Sequence, residues 1–290
     1  MRVRSVLKGH GTENDFVIVP DLDGELDLSP ALVRALCDRR GGVGADGVLR
    51  VVRCENDPDG KEFAAGAEYF MDYRNADGSL AEMCGNGIRV FLRYLIRSRL
   101  VTESAAVATR GGITRVRSCT DGDISVQMGL PLVLADRPVA TAAPISQPAV
   151  AAVRMPNPHV VVQVEPDELD ALDLTRPPVV VPPLPDGQNV EFVVGVAPGH
   201  LRMRVHERGV GETRSCGTGI CAAVVAAATS AGSPADGGTW RVDVPGGTCR
   251  VIWQPDGTIE LIGPAVIVAE LDVDDDWLAS AAGGDTVVIG

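Results

Sequence analysis

Two cysteines of this chain stand in the same local sequence, each followed by a glycine, one other residue and a second glycine. They are Cys84 in MCGNG and Cys216 in SCGTG, almost half the chain apart, and each motif opens a stretch that reads as a helix. A thiol at the amino end of a helix feels the positive end of the backbone dipole, which lowers its pKa and favours the thiolate. The glycines let backbone amides approach a bound carboxylate closely. The two motifs therefore predict two reactive sulfurs, each beside a carboxylate-binding turn.

Two sulfurs on opposite sides of a carbon next to a bound carboxylate could invert that carbon. One thiolate would remove the α-proton of an amino acid, while amide donors stabilise the charge that moves onto the carboxylate oxygens. The opposite thiol would donate a proton to the other face, so the resting pair needs one thiolate and one thiol and titrates as a coupled unit. A single Cys-Gly-x-Gly turn also occurs as a purely structural start of a helix, and the motif taken alone leaves both interpretations open.

A second pair of segments indicates an internal duplication. Residues 111–124, GGITRVRSCTDGDI, and 246–259, GGTCRVIWQPDGTI, share the pattern G-G-x-x-R-V-x-x-x-x-D-G-x-I. In each segment an Asp-Gly pair stands between apolar runs, which is a strong signal for a β-hairpin turn. Because the two pairs follow in the same order at nearly the same spacing, we expect two similarly built halves. These halves are predicted to face each other across a cleft that holds both sulfurs.

The remaining elements fit an α/β chain around this plan. Ser29 and Pro30 are a typical N-cap and first residue of a helix that should run to Asp38. The stretch 88–100 is predicted to be a helix with Arg89, Arg93 and Arg97 on a face separate from its apolar stripe. The charge-free stretch 217–235 indicates a helix buried inside a protein rather than a membrane span. Strands are predicted at 3–7, 15–19, 48–53, 68–73, 159–164, 190–196 and 201–206, with 137–150 as the bridge between halves and the proline-rich 175–187 as an irregular surface segment.

Composition excludes several functional classes. The formal net charge of −13 argues against a nucleic-acid surface, which needs a clustered basic face. The amino terminus lacks an apolar core of signal-peptide length, so we expect a cytoplasmic protein with no membrane partner. The 7 cysteines are odd in number and scattered, without a C-x-x-C pair or a cysteine–histidine cluster. That pattern predicts reduced, mostly buried thiols, and neither a disulfide framework nor a metal site.

Several longer motifs identify a family resemblance. They are GTENDF at 11–16, GVGADGV at 42–48, YRNADGS at 73–79, MCGNG at 83–87, NPH at 157–159, GQNVEF at 187–192 and HERGVGETRSCGTG at 206–219. In this order and over nearly the whole chain, they resemble diaminopimelate epimerase. The resemblance implies interconversion of LL- and meso-diaminopimelate without pyridoxal phosphate or any other cofactor, serving lysine and peptidoglycan synthesis. It also implies a cytoplasmic homodimer.

The fold implied by the resemblance is α/β, more strictly α+β, with two pseudo-symmetric lobes. Each lobe is expected to be a β-barrel-like sheet around a central helix, with the active site in the cleft between the lobes. We expect the first lobe at 1–134, carrying Cys84 and completed by a carboxyl-terminal strand around 272–290. The second lobe is expected at 135–271 and carries Cys216.

The resemblance assigns roles to residues that match the family's motifs. Cys84 and Cys216 are the two catalytic bases. Gly85, Asn86, Gly217 and Thr218 hold the reacting carboxylate. His159 and Glu207 lie near the thiols and tune or position them, and Glu207 also contacts the substrate. The substrate's other polar groups, chiefly at its distal end, are bound by Asn14, Asn75, Asn157 and Asn189, and Arg208 takes a carboxylate in two hydrogen bonds.

The chain departs from the family at one position, and two alternative functions stay open. The family commonly has glutamine at the position of Gly47, so that contact to the substrate is missing here; His10 is interpreted as structural. A proline or hydroxyproline racemase would use the same pair of cysteines, but it typically carries histidine where this chain has Asn86. Its cyclic substrate has no distal carboxylate for Arg208 to bind. A thiol redox or metal-binding protein is the alternative from a different class.

Overall fold

The computed structural model describes residues 5–232 and 238–283. Its strands are β1 Ser5–Gly11, β2 Asn14–Pro20, β3 Gly47–Arg53, β4 Tyr69–Asn75, β5 Ser104–Thr109, β6 Gly112–Ser118, β7 Ile124–Gly129, β8 Leu132–Leu134, β9 Val139–Ala142, β10 Ile145–Pro148, β11 Ala151–Arg154, β12 Pro158–Gln163, β13 Val179–Val181, β14 Asn189–Ala197, β15 His200–Glu207, β16 Gly211–Thr213, β17 Thr239–Val244, β18 Gly247–Trp253, β19 Ile259–Gly263 and β20 Val266–Asp272. The α-helices are α1 Pro30–Cys37, α2 Gly85–Arg97, α3 Pro166–Ala171, α4 Gly217–Ser230 and α5 Asp275–Gly283, and short 3-10 helices lie at Cys54–Asn56 and Lys61–Phe63.

The chain forms two compact units. Among the described residues, the first unit contains 5–11, 15–124 and 265–283, and the second contains 12–14, 125–232 and 238–264. In this division the chain enters the second unit after residue 124 and returns to the first after residue 264. The lobe boundaries after residues 134 and 271 stay predictions. The segment 137–150, predicted as a bridge, lies inside the second unit, where β9 and β10 form a hairpin and β13 adds a short edge strand.

Both units repeat one strand pattern. In the first unit β2 and β3 are parallel, β3 and β4 antiparallel, β4 and β5 parallel, and β5 and β6 antiparallel. In the second unit the same alternation runs through β12, β14, β15, β17 and β18. The helices occupy equivalent places in the two series of strands. Helices α1 and α3 lie between the first and second strands of their series, and α2 and α4 precede the fourth strand. The predicted duplication is confirmed.

The two predicted Asp-Gly turns have the same hydrogen bonds. The Cys119 amide donates to the Asp123 carbonyl at 2.8 Å, and the Gln254 amide donates to the Thr258 carbonyl at 2.8 Å. The glycine of each turn, Gly122 or Gly257, has a φ of 89°, a left-handed conformation that glycine adopts without a Cβ penalty. The short sequence repeat therefore encodes a repeated backbone geometry.

A helix occupies the centre of each unit. Helix α2 packs against β1, β3, β4, β5, β6 and β20, and α4 packs against β11, β12, β14, β15, β17, β18 and β19. Helix α4 is built almost entirely from small and branched apolar residues, and nearly all of them are buried. Each sheet therefore wraps around a helix, as the resemblance implied. No helix among the described residues is long and apolar enough to cross a membrane.

One expectation about the carboxyl-terminal segment needs correction, and one arginine of α2 has an unusual environment. Arg89 is fully buried because strands enclose that helix, and its Nη1 donates to the Gly85 carbonyl at 3.2 Å. The strand that returns to the first unit is β20, which pairs with β1. Residues 275–283 form α5 instead of the strand predicted around 272–290, since the Asp274 side chain caps the Trp277 amide at 2.9 Å. Residues 284–290 lie outside the described part of the chain.

Candidate active site

In the second unit, three predicted residues lie side by side at the same end of three neighbouring strands, and this end is called the edge of the sheet below. The parallel register of β12 and β14 pairs His159 with Asn189. The antiparallel register of β14 and β15 pairs Val190 with His206, so the next step along both strands places Asn189 beside Glu207. These residues come from separate motifs and meet because of strand order alone.

Cys216 stands directly at this edge as the N-cap of α4. Its backbone is extended, with φ −125° and ψ 113°, and the helix begins at Gly217. Its Sγ lies 3.5 Å from the Thr218 hydroxyl. The Cys216 thiol also hydrogen-bonds to the Glu207 carboxyl, which accepts a second hydrogen bond from the Thr213 hydroxyl. The sulfur is therefore held among polar partners at the start of a buried helix.

The environment of Cys216 favours the protonated thiol. Burial raises its pKa well above that of an ordinary thiol, and the charges of Glu207 and Glu191 raise it further. The hydrogen bonds from Thr218 and the Gly219 amide act in the opposite direction, but they do not outweigh burial. The expectation that the helix dipole lowers the pKa is therefore wrong for this cysteine. Burial also raises the pKa of the Glu207 carboxyl, against the lowering effect of its hydrogen bonds to Thr213 and Cys216.

A chain of three hydrogen-bonded polar side chains, two of them buried, lies beside this thiol. The Nδ1 atom of His159 is 2.6 Å from Glu191 Oε1, and its Nε2 atom is 2.9 Å from Asn157 Oδ1. His159 and Glu191 are both completely buried. The second carboxylate oxygen of Glu191 has no hydrogen-bond partner among the described residues. The imidazole is thus clamped at both nitrogens.

Arg208 is the exposed member of the group. Its backbone amide donates to Asn189 Oδ1 at 2.9 Å, which ties the turn after β15 to the start of β14. Its guanidinium donates through Nη1 to the Asp186 carbonyl and is otherwise at the surface. Gly187 makes room for the arginine stem, since a Cβ added there would lie 2.9 Å from Arg208 Cδ and the residue has a φ of +70°. The exposed guanidinium has the planar arrangement of N–H donors that a carboxylate accepts.

In the first unit, Cys84 is the N-cap of α2 with a geometry close to that of Cys216. Its φ is −140° and its ψ is 119°, and its Sγ accepts the Gly87 amide at 3.3 Å. An N–H group pointed at sulfur stabilises negative charge there. Gly85 and Asn86 form the first buried turn of the helix. The prediction that both cysteines stand at the amino ends of helices is thus confirmed, and each is the N-cap.

The other predicted residues of the first unit lie at strand ends. Asn75 ends β4, where its Nδ2 donates to Ser79 Oγ at 3.0 Å inside a turn. Asn14 opens β2 and is partly buried, although it is grouped with the second unit. Gly47 pairs with Asn75 across β3 and β4, and a Cβ added there would lie 2.6 Å from the Arg74 carbonyl oxygen. The strands are thus too close at Gly47 for a side chain without a local shift.

The structure therefore gathers eight predicted residues in the second unit: Asn157, His159, Asn189, Glu207, Arg208, Cys216, Gly217 and Thr218. It gathers Cys84, Gly85 and Asn86 in the first unit. That both sets act on one substrate stays a prediction. Sequence reasoning missed Thr213 and Glu191 as partners; the signal for Glu191 was a charged residue inside the apolar run NVEFVV.

The 7 cysteines are thiols without a disulfide bond in this structure. Cys37, Cys54, Cys221 and Cys249 are buried, and Cys119 is partly exposed. Among the described residues, no group of three or more histidine, cysteine, aspartate or glutamate side chains is arranged to hold a metal ion.

Solved structures define the class of the fold. A phenazine biosynthesis protein of the PhzF family from Bacillus anthracis matches with a TM-score of 0.69 at 18% identity, covering 94% of this chain and 100% of that one. A hydroxyproline epimerase from Agrobacterium vitis matches with a TM-score of 0.65 at 15% identity, covering 96% and 98%. At such low identity the likeness shows the fold alone. The chain has the duplicated α/β fold that these proteins share.

Sequence comparison then gives the family. The family model for diaminopimelate epimerase matches residues 6–133 and 151–268. The diaminopimelate epimerase of Streptomyces coelicolor is 56% identical over 280 residues, covering 94% of this chain and 96% of the relative. That of Thermobifida fusca is 51% identical over 279 residues, covering 92% and 96%. The chain belongs to the diaminopimelate epimerase family and is an isomerase.

Proposed function

We propose that this chain interconverts LL- and meso-diaminopimelate by moving one α-proton, without a cofactor, in the synthesis of lysine and peptidoglycan precursors. The observation that carries the proposal is the pair of cysteines, each capping a buried helix through a Gly-x-Gly turn, in a chain 56% identical to a diaminopimelate epimerase. A cytoplasmic homodimer is part of the same proposal, and the mass of the purified protein in solution tests the dimer.

The reacting carboxylate is held by first-turn amides. Helices α2 and α4 are 13 and 14 residues long, so each has a developed dipole and several amide hydrogens without an intrahelical acceptor. The amides at Gly85, Asn86, Gly217 and Thr218 supply these donors. They bind the carboxylate more strongly as negative charge moves onto its oxygens during proton removal, which is the condition for catalysis rather than mere binding.

Cys84 is the base and Cys216 the acid of the substrate-free enzyme. Cys216 is buried and hydrogen-bonded to Glu207, and two carboxylates raise its pKa. Cys84 is partly exposed and its sulfur accepts an amide hydrogen. The Cys84 thiolate takes the α-proton, and the Cys216 thiol donates its proton to the opposite face of the carbon. After one turnover the protonation states are exchanged, and the reverse reaction uses them in that form.

The distal end of the substrate determines specificity. Diaminopimelate carries a second amino-acid group that a proline lacks, and Arg208 has unused guanidinium donors at the surface for its carboxylate. The side chains of Asn14, Asn75, Asn157 and Asn189 bind the remaining polar groups. Asn86 further supports this choice of substrate over a cyclic imino acid.

The proposal is tested by incubating the purified chain with LL-diaminopimelate in deuterated water. We expect meso-diaminopimelate to appear on chiral chromatography, with deuterium at an α-carbon by NMR. Parallel reactions with proline, hydroxyproline and lysine should be slow, and EDTA should have no effect. Absence of both epimerisation and deuterium uptake would contradict the proposal, and faster reaction with proline would favour the racemase alternative.

A further inference from the structure

The duplicated strands carry different residues at equivalent positions. In the first unit, Phe16 on β2 pairs with Gly47 on β3, and Leu49 follows two residues later. In the second unit, His159 on β12 pairs with Asn189 on β14, and Glu191 follows two residues later. The apolar pair of the first unit thus corresponds to the hydrogen-bonded pair of the second.

The second glycine of each Gly-x-Gly turn brings the central helix close to residues of this pair. A Cβ added at Gly87 of α2 would meet Leu49 Cδ2 at 3.2 Å and the Phe16 ring at 3.5 Å. A Cβ added at Gly219 of α4 would meet Glu191 Oε1 at 2.6 Å. The second glycine of the Gly-x-Gly turn therefore lets the helix approach a leucine in one unit and a carboxylate in the other.

A leucine would be the more stable choice if packing were the only requirement. Glu191 is completely buried, and one of its oxygens has no hydrogen-bond partner among the described residues. Burying a carboxylate with incomplete hydrogen bonding costs free energy that a buried leucine does not. The first unit shows that this backbone accepts leucine at the equivalent position.

We propose that Glu191 is a positioning residue that acts through His159, holding the ring by its Nδ1 atom. The inference rests on the proposed function, because a role for His159 beside the thiols is what the family resemblance implies. Nδ1 donates to Glu191 Oε1 over 2.6 Å, which fixes a proton on that nitrogen and sets the plane of the ring. The terminal amide of Asn157, whose oxygen and nitrogen exchange places when it flips, lies 2.9 Å from Nε2.

Glu191 has a second effect through its charge. In the described part of the chain, three titratable side chains face it from the surrounding elements: His159 from β12, Glu207 from β15 and Cys216 from the start of α4. A carboxylate near the sulfur disfavours the Cys216 thiolate and so helps to make that cysteine the acid. The first unit, with Leu49 at the equivalent position, has no such charge there.

The test compares Glu191→Gln, Glu191→Leu and the control Asp170→Asn, which removes an exposed acid of α3 paired with Arg202. The first reading is the ring-nitrogen NMR spectrum of histidine-labelled protein without substrate, with the His159 signal assigned from His159→Gln. We expect a protonated Nδ1 in the native chain, a shifted signal in Glu191→Gln and loss of the hydrogen-bonded proton in Glu191→Leu. Asp170→Asn should leave the signal unchanged.

The second reading is the pH profile of kcat together with KM. Both Glu191 variants should lose about 10- to 100-fold in kcat, the usual effect of removing an outer carboxylate partner of a histidine, with little change in KM. The profile of Glu191→Gln should shift to lower pH, because the thiolate of Cys216 is no longer disfavoured. If His159 carries its proton on Nε2, or its signal is the same in Glu191→Gln as in the native chain, the proposal is wrong even where the native chain epimerises diaminopimelate. Inactivity of the native chain with these NMR results intact would instead overturn the proposed function.

Discussion

Glu207 accepts a hydrogen bond from the Cys216 thiol, so the candidate acid of the reaction is paired with a carboxyl group from the neighbouring strand. The pairing follows from the end of β15 lying beside the start of α4. Because burial and the Glu207 charge both raise the pKa of Cys216, the folded chain keeps this thiol protonated at a pH where an unfolded chain ionises it. The free energy of unfolding should therefore lose a contribution as pH rises above about 9.

Replacing Glu207 by glutamine should lower the pKa of Cys216, since the substitution removes a negative charge and keeps the shape. The rate of Cys216 alkylation by iodoacetamide, followed by peptide mapping between about pH 7 and pH 10, should rise at lower pH in Glu207→Gln than in the native chain. The matched control is Glu212→Gln, which removes a carboxylate on β16 that pairs with Arg204. This variant should show the same alkylation profile as the native chain. An unchanged profile in Glu207→Gln would show that the Glu207 charge does not raise this pKa.

Alanine at either cysteine of the pair should abolish epimerisation. Inversion needs a base on one face and an acid on the other, and loss of one group should reduce kcat at least about a thousandfold. Steady-state kinetics of Cys84→Ala and Cys216→Ala measure this loss. Cys119→Ala, at a partly exposed position in the turn after β6, should keep nearly native activity. Near-native turnover in either of the first two variants would rule out a two-base reaction.

Lysine at position 208 should weaken binding although the charge is kept. An ammonium group cannot copy the planar two-donor contact of a guanidinium with a carboxylate. We expect a raised KM for diaminopimelate in Arg208→Lys. In the native chain, kcat/KM for diaminopimelate should be far above kcat/KM for free lysine, which lacks the second carboxylate. Equal kcat/KM for the two substrates would remove Arg208 from the account of specificity.

Alanine at Gly219 should destabilise the fold, because its methyl group would lie 2.6 Å from Glu191 Oε1 in a packed interior. Overpacking of this kind costs about 1–3 kcal/mol, and urea denaturation of Gly219→Ala measures it. Gly195→Ala is the matched control, since a Cβ there meets nothing within 4 Å. Equal stability of the two variants would mean that α4 does not need the glycine for its approach to Glu191.

Local sequence predicted much of the backbone. Ser29 caps α1 through the Leu32 amide at 3.2 Å, both cysteines are N-caps, and the Asp-Gly turns repeat bond for bond. These features depend on a few neighbouring residues, and short-range patterns are sufficient to encode them. The duplication could be read for the same reason, because both halves keep the same turns.

Features that depend on distant chain segments could not be read in this way. The periodicity of α2 separated its arginines from the apolar stripe, but it could not show that Arg89 is buried, because strands from distant parts of the chain enclose the helix. The dipole argument gave the wrong direction for the Cys216 pKa, since sequence shows the helix start but not burial or the approach of Glu207 and Glu191. The contact between Glu191 and His159 could be recognised only from the strand register, which pairs His159 with Asn189 and so brings Glu191, two residues further along β14, close to the histidine.

The central claim is that two different thiols handle the proton, and the distribution of deuterium tests it most directly. LL-diaminopimelate is incubated with the native chain in deuterated water, and the reaction is stopped after a small fraction has converted. The account predicts one deuterium at the inverted carbon of the meso product, delivered by Cys216, and almost none in the recovered substrate. Deuterium appearing in the recovered LL substrate as fast as in the product would show a single base acting on both faces, and would contradict the account.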